Sequence, residues 1–384
     1  FNSNYGNGLH ITTGGAILVS NTVAYGNLFR SGDQLGRFYG HGIRAWNESG
    51  TKSVSITSSK QQDFELEGES ISENAGAGVW VRSQGAILVK NLTVINSGIG
   101  GSGWSERGVY LENNLGTSSA SVTVSGLTIQ NSQYDNLSII SRGTVTVTNV
   151  DSRDPVDGRA ISVYNGGAAS AKTVTLTNCY GIGATTGYGI YVSSKGAITA
   201  TNIVAVSNSI TGLYLYNNIA GYTSPVTVKT SGSYQSQFIA NNRAIEVYSR
   251  GAVSLSGMLV ASGESIDQPA IYIRNDYAGT EQKVTVSKAE IVDNQHTGLM
   301  IESLGVITLT SVNASGSLNA GHGAHILNHD INSTSEVKVT KSTFSNNKGL
   351  GLWVTTLGKI TLDTVDAEGN NGSGIRAQNS FGAS

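Results

Sequence analysis

The sequence predicts an all-β solenoid, many short strands wound into stacked coils, and three observations carry that expectation. First, one phrase keeps returning: a small residue, then aliphatics at alternate positions, then Asn or Ser/Thr. It opens at Gly8, Gly42, Gly78, Gly108, Asn136, Ala160, Gly189, Gly212, Ala244, Ala270, Gly298, Gly323, Gly351 and Gly374. The mean period is roughly 28 residues, a length that signals a repeat architecture. Second, the 384 residues include 49 Gly but only 3 Pro, and charged residues are just 13%. Ser, Thr, Asn and Val fill the difference, which suits short strands and tight turns rather than amphipathic helices. Third, a bend residue that tolerates the left-handed conformation recurs at Asn21, Asn91, Gly126, Asn149, Asn178, Asn202 and Gly257.

The stretch from Gly189 to Thr211 shows one coil. In Gly189-Ile190-Tyr191-Val192-Ser193, alternation puts Ile190 and Val192 on one face and Tyr191 and Ser193 on the other. Ser194-Lys195-Gly196 reads as a tight turn in which Gly takes positive φ. Ala197–Ala200 is the second strand, Thr201-Asn202 a bend, and Ile203–Val206 the third strand. Three short strands cannot bury an apolar face alone. Stacking each coil on the last gives every strand a parallel neighbour and one dry interior.

This pattern resembles the right-handed parallel β-helices of the pectin-lyase-like class, through the two-residue Asn or Gly bend between second and third strands. The resemblance spans essentially the whole chain. It implies a right-handed parallel β-helix of about fourteen coils with three short strands each. That fold serves polysaccharide lyases and hydrolases, phage tailspikes and large bacterial surface proteins. The glycine-rich, charge-poor repeat is most similar to the repeat regions of bacterial surface and adhesin-type proteins. The expected organisation is a single β-helix domain over residues 1–384. Residues 1–77 carry enlarged third-corner loops, and residues 78–384 form regular two-coil superrepeats. The excursion Asn27 to His41, with Arg30, Asp33, Arg37, Phe38 and Tyr39, is the segment least like the repeat. Phe1–Val19 lines up with Phe344–Leu362, so the expectation is a window from a longer array, with end-to-end stacked subunits as the alternative.

The first corner alternates. One set of coils turns tightly at Ser83-Gln84-Gly85, Ser141-Arg142-Gly143, Ser194-Lys195-Gly196, Ser249-Arg250-Gly251, Ser303-Leu304-Gly305 and Thr356-Leu357-Gly358. The other set carries a longer loop opening with Asn47, Asn113, Asn165, Asn217, Asn275, Asn328 or Asn379. Amides and hydroxyls both donate and accept, so stacking predicts a polar ladder along this corner.

Outward positions of the first strand carry Trp80, Tyr110, Tyr191, Tyr214, Tyr272 and Trp353, with Trp46, Tyr164, Tyr216 and Tyr248 two residues on. These ten are the candidate contact face, for a glycan, for another protein, or merely as a sheet surface. Trp80 and Tyr110, and likewise Tyr191 and Tyr214, are expected to touch. Arg142, Lys195 and Arg250 occupy equivalent corners, either a row facing an anionic polymer or a solvated edge. Asp151, Asp154 and Asp157 are weak candidate ligands for Ca²⁺, against a turn neutralised by Arg153 and Arg159. His322, His325 and His329 need a loop to fold back before they share a metal. Cys179, the one cysteine, sits at an inward strand position and reads as a small core residue.

A glycosidase needs two carboxylates about 5–9.5 Å apart. The outward first-strand acids are Glu112, Glu246 and Glu302, the last two separated by roughly 12 Å of sheet. The expectation is therefore no catalytic residues and no cofactor. A net charge of −2 gives no basis for nucleic-acid binding, and no apolar run is long enough to span a bilayer. The function expected is a rigid extracellular rod of a bacterial surface or filament assembly. Its partners would be other copies of itself, neighbouring surface proteins or glycans. The alternative is a carbohydrate-binding or polysaccharide-cleaving β-helix.

Overall fold

A computed structural model describes residues 1–28, 40–59, 71–98, 106–277, 281–319, 321–328 and 334–379. Most of the Asn27–His41 excursion and the centre of the second enlarged loop lie outside them. The described elements are all β-strands. The chain divides into two compact units, Phe1–Ser194 and Lys195–Ser384.

In the first unit one parallel sheet runs Leu9–Thr12, Ile43–Asn47, Val79–Ser83, Val109–Asn113, Leu137–Ser141, Ile161–Asn165 and Ile190–Ser194. A second runs Ile17–Ser20, Val54–Thr57, Ile87–Ile95, Val122–Gln130, Val145–Arg153 and Val174–Ile182. The second unit repeats the plan. Its first sheet holds Thr211–Asn217, Arg243–Ser249, Ile271–Asn275, Leu299–Ser303, Ala324–Asn328, Leu352–Thr356 and Ile375–Gln378. Its second sheet begins with Ile198–Val206 and ends with Ile360–Asp366.

The register explains why stacking is obligatory. Val122, Val145 and Val174 form one inward column, and Leu127, Val150 and Cys179 another. All six are fully buried. Each such aliphatic gains about 1.5–3 kcal/mol on leaving water, and only the neighbouring coil supplies the cover. Cys179 packs as a core residue, its thiol pushed up to about 12 by burial.

Two local features differ from the sequence expectation. The second and third strands merge into one nine-residue strand, as in Val145–Arg153, that bends at its fifth residue without breaking. That residue is left-handed: φ is 56° at Asn91, 53° at Asn149, 52° at Asn178 and 54° at Asn202. The tight-corner glycines also have another reason to be glycine. At Gly251 an added Cβ would clash with the Ser224 carbonyl oxygen, far inside van der Waals contact, and at Gly85 with that of Lys52. Close approach of coils, not positive φ, fixes them.

The first-corner ladder uses backbone oxygens. Asn113 Nδ2 donates to the Gly85 carbonyl (2.6 Å), Asn165 to Gly143 (2.5 Å), Asn217 to Gly196 (2.6 Å) and Asn275 to Gly251 (2.7 Å). Asn328 donates to Gly305 (3.1 Å) and Asn379 to Gly358 (2.9 Å). Asn47 turns to the Lys52 carbonyl of its own loop (2.6 Å). Most corner hydroxyls close their own turn: Ser83, Ser141, Ser249 and Thr356 accept the glycine N–H two residues on, at 2.9–3.0 Å. Ser303 and Thr356 also reach across: while accepting that N–H they donate to the adjacent coil, Ser303 to Asn275 Oδ1 (3.4 Å) and Thr356 to the Ser335 carbonyl (3.3 Å).

A second asparagine ladder runs up the third corner. Asn4 donates to Asn27 Oδ1 (2.8 Å) and Asn27 to Asn74 Oδ1 (2.7 Å). In the second unit Asn208 donates to Asn241 Oδ1 (2.8 Å) and Asn347 to Asn370 Oδ1 (3.0 Å). Asn241 also accepts the Asn208 backbone N–H (3.1 Å) and donates to the Ala205 carbonyl (2.9 Å). Its signal lay in the sequence as Asn-x-x-x-Gly at Asn74, Asn208, Asn294, Asn347 and Asn370.

Candidate functional site

The outward aromatics divide into two kinds of surface. In the first unit Trp46 and Trp80 meet edge to face with centroids 5.6 Å apart, and Trp80 and Tyr110 lie 5.8 Å apart. Trp80 and Tyr110 are only 4% and 3% exposed. The His41 ring packs on Trp80 at 5.0 Å, and the Arg44 guanidinium lies 3.6 Å from the Trp46 centroid. Arg82 bridges Glu48 (2.7 Å) and Glu112 (2.8 Å). These rings are packing material, and Trp80 and Tyr110 are not a free contact face. Burial raises the Glu112 carboxyl from its ordinary value, although Arg82 opposes it. Burial and the nearby Arg44 hold His41 down at about 3. Tyr164 is 47% exposed, and Tyr191 pairs with Tyr188 (5.6 Å) beneath Arg159 (4.2 Å). Tyr191 and Tyr214 belong to different units.

The second unit carries a half-exposed tyrosine patch built on consecutive strands. Tyr214 and Tyr216 stand on Thr211–Asn217, Tyr248 on Arg243–Ser249 and Tyr272 on Ile271–Asn275. Tyr248 is the hub, with Tyr214 at 5.8 Å, Tyr216 at 6.3 Å and Tyr272 at 5.9 Å between centroids. Tyr248 donates its phenol to Glu246 Oε1 (2.7 Å), and Tyr272 donates to Glu302 Oε2 (2.7 Å). Glu246 also pairs with Arg243 and accepts from Thr211 Oγ1 (3.3 Å). Arg274 bonds Asp276 (2.9 Å) and lies 3.7 Å from Glu302. Burial, then the carboxylate contact, raises both phenols well above the usual tyrosine range. Tyr277 is pushed up to about 12 by burial, with Arg250 and Arg274 each about 5.5 Å from its ring centroid.

Arg243, Arg274, Asp276 and Tyr277 complete this patch and are absent from the sequence-derived face. Arg274 shares the alternating outward register with Tyr272, so that signal was available. Tyr277 and Asp276 sit in the loop after Asn275, where strand alternation gives no direction.

The remaining candidates find other roles. The corner cations clasp the long loops: Arg142 bonds the Gly116 carbonyl, Arg250 bonds Asn218 Oδ1 (2.9 Å), and Lys195 lies 5.4 Å from the Tyr222 ring centroid. Asp151 is held bidentately by Arg153 (2.7 and 2.8 Å), and Asp157 accepts from Gln133 (2.7 Å). Asp154 occupies a left-handed bend at φ 51°. Among the described residues no three His, Cys, Asp or Glu side chains form a metal-binding group. His325 stacks on Trp353 at 4.2 Å and 13°, with His322 5.9 Å away and Arg376 5.1 Å from the indole centroid. His322 Nδ1 accepts the Leu350 N–H (2.9 Å), and burial lowers His325 to about 4. His329 lies outside the described residues.

Residues 269–383 match the family described as the right handed beta helix region. The fold is a right-handed parallel β-helix. Comparison with curated proteins and with solved structures gives no match. The matched β-helix segment carries part of the tyrosine patch, including Tyr272, Arg274, Tyr277 and Glu302. No described helix is long and apolar enough to cross a membrane.

Proposed function

We propose that this β-helix is a structural and interaction protein, an extracellular scaffold of a bacterial cell-surface or filament assembly with no catalysis of its own. The tyrosine patch carries the reading. Tyrosines interleaved with arginines and carboxylates on a rigid sheet give large contact area at little entropic cost, the composition favoured in contact surfaces. The carboxylates are held by tyrosine and arginine partners, an arrangement that shapes a surface rather than presenting a carboxylate pair to a bound substrate. Other copies of the chain or neighbouring surface proteins are the proposed partners, and neither Ca²⁺ nor another cofactor is required. Sedimentation of the purified chain and electron microscopy of native material test this. The Tyr216→Ala/Tyr277→Ala variant should lose association while its melting temperature stays within a few degrees. Release of reducing or unsaturated sugars from any polysaccharide by the wild type would sink the non-catalytic reading.

A carbohydrate-binding role is the second reading, favoured by flat phenol rings beside arginine and carboxylate groups that could pair with sugar hydroxyls. Glycan-array binding that disappears in the same double variant would establish it over protein association.

A further inference from the structure

We propose that Tyr248 and Tyr272 form an oxidisable phenol pair that a one-electron oxidant of the haem-peroxidase type joins covalently. This modification site would staple Arg243–Ser249 to Ile271–Asn275, and it stands apart from any partner of the patch. The argument rests on three geometric facts. The two rings are 5.9 Å apart between centroids on adjacent parallel strands. Each phenol already donates to its own carboxylate, Tyr248 to Glu246 and Tyr272 to Glu302, both at 2.7 Å. Both rings are partly exposed, so a diffusing oxidant or enzyme radical can reach them.

A neutral phenol is hard to oxidise because its radical cation is strongly acidic. A hydrogen-bonded base removes that obstacle by accepting the proton as the electron leaves. Both phenols are raised above the usual tyrosine range, chiefly by burial, so they remain protonated at neutral pH and need such an acceptor. Arg243 pairs with Glu246, and Arg274 lies beside Glu302, which fixes the carboxylates in position.

The chemistry balances. Each tyrosine loses one electron to the oxidant and its phenolic proton to the facing carboxylate, giving two phenoxyl radicals. A carbon–carbon bond forms between ring positions ortho to the oxygens. The hydrogens at those carbons move to the phenolic oxygens as aromaticity returns, and the carboxylates release their protons to water. The net loss is two electrons and two protons. One hydrogen peroxide takes them through the peroxidase and becomes two waters. The rings now meet at 83°, so coupling requires rotation about the Cβ–Cγ bonds.

The test treats the full chain, dilute, with a haem peroxidase and hydrogen peroxide. Dityrosine fluorescence should appear in a band that still migrates as a monomer. Peptide mapping should find Tyr248 and Tyr272 joined, two hydrogens below the sum of their peptides. Tyr248→Phe and Tyr272→Phe should each abolish that species while the chain still unfolds in one cooperative transition, a few degrees below wild type for the lost phenol–carboxylate bond. Glu246→Gln and Glu302→Gln should slow its formation by about tenfold or more, the scale of a lost proton acceptor. Undiminished dityrosine in either Phe variant would overturn the proposal. So would a cross-link confined to other tyrosines, such as Tyr164 or Tyr234, which are 47% and 63% exposed. A rate unchanged in both Gln variants would remove the carboxylates from the mechanism.

Discussion

At the scale of single residues, backbone conformation and burial decide more than side-chain chemistry. The bend of the long strands takes Asn where the fit is good, but Lys341 at φ 50° and Thr364 at φ 56° occupy the same position. A left-handed residue other than Gly or Asn costs about 1 kcal/mol, and a β-branched one resists it most. Lys341→Asn and Thr364→Asn should each stabilise the chain by about 0.5–1 kcal/mol, read from denaturant midpoints. Gly251→Ala should have the opposite effect, costing about 2 kcal/mol or more, because its methyl meets the Ser224 carbonyl.

Histidine supplies the pH dependence at this scale. His41 is held near 3 against an ordinary 6.5 by burial and by Arg44. The unfolded chain therefore takes up the proton first as pH falls. Stability is complete above about 6.5, declines as pH falls toward 3, and is flat below that. The expected loss is on the order of a few kcal/mol. His325, lowered to about 4, acts in the same direction more weakly because it is less buried. Melting temperatures across this range should fall with acid, and His41→Leu should flatten the slope.

At the scale of elements, the two asparagine ladders are not equivalent. Asn217 makes one inter-coil hydrogen bond, to the Gly196 carbonyl. Asn241 accepts two and donates one, all while buried. Asn217→Ala should cost about 1 kcal/mol and Asn241→Ala about 2–3 kcal/mol, since the latter strands a buried N–H and a buried carbonyl. Calorimetry on the two variants would measure the order, and a larger loss at Asn217 would contradict it. The first ladder stood out in the sequence because its Asn always ends the same phrase. The second was spread over Asn-x-x-x-Gly with Ser132 or Ser317 in places, and its pairing appears only when coils are superposed.

At the scale of the whole molecule, charge contributes little to stability. Charged residues are 13% of the chain and the net charge is −2. The apolar columns and asparagine ladders carry the fold, and neither is screened by salt. The melting temperature should therefore shift by only a few degrees between low salt and about 1 M NaCl, where the screening length is short. A steep fall would mean that pairs such as Arg82 with Glu48 and Glu112 dominate instead.

The sequence by itself determined the fold class, the strand alternation and the left-handed bend where Asn or Gly fills it, because these follow from periodicity and local backbone preference, whereas Lys341 and Thr364 at the same bend carry no such signal. Cys179 could be placed in the core on the same basis. Only the tertiary structure decided which outward aromatics stay partly exposed. Trp80 and Tyr110 share the outward register of Tyr214 and Tyr272, yet the first pair is covered by neighbours such as His41, Arg44 and Arg107, which the alternation cannot place. The corner cations were likewise turned onto adjacent loops rather than outward. Register fixes which face of a strand a side chain leaves from. What it meets there depends on corners and loops many residues away, whose paths no local pattern encodes.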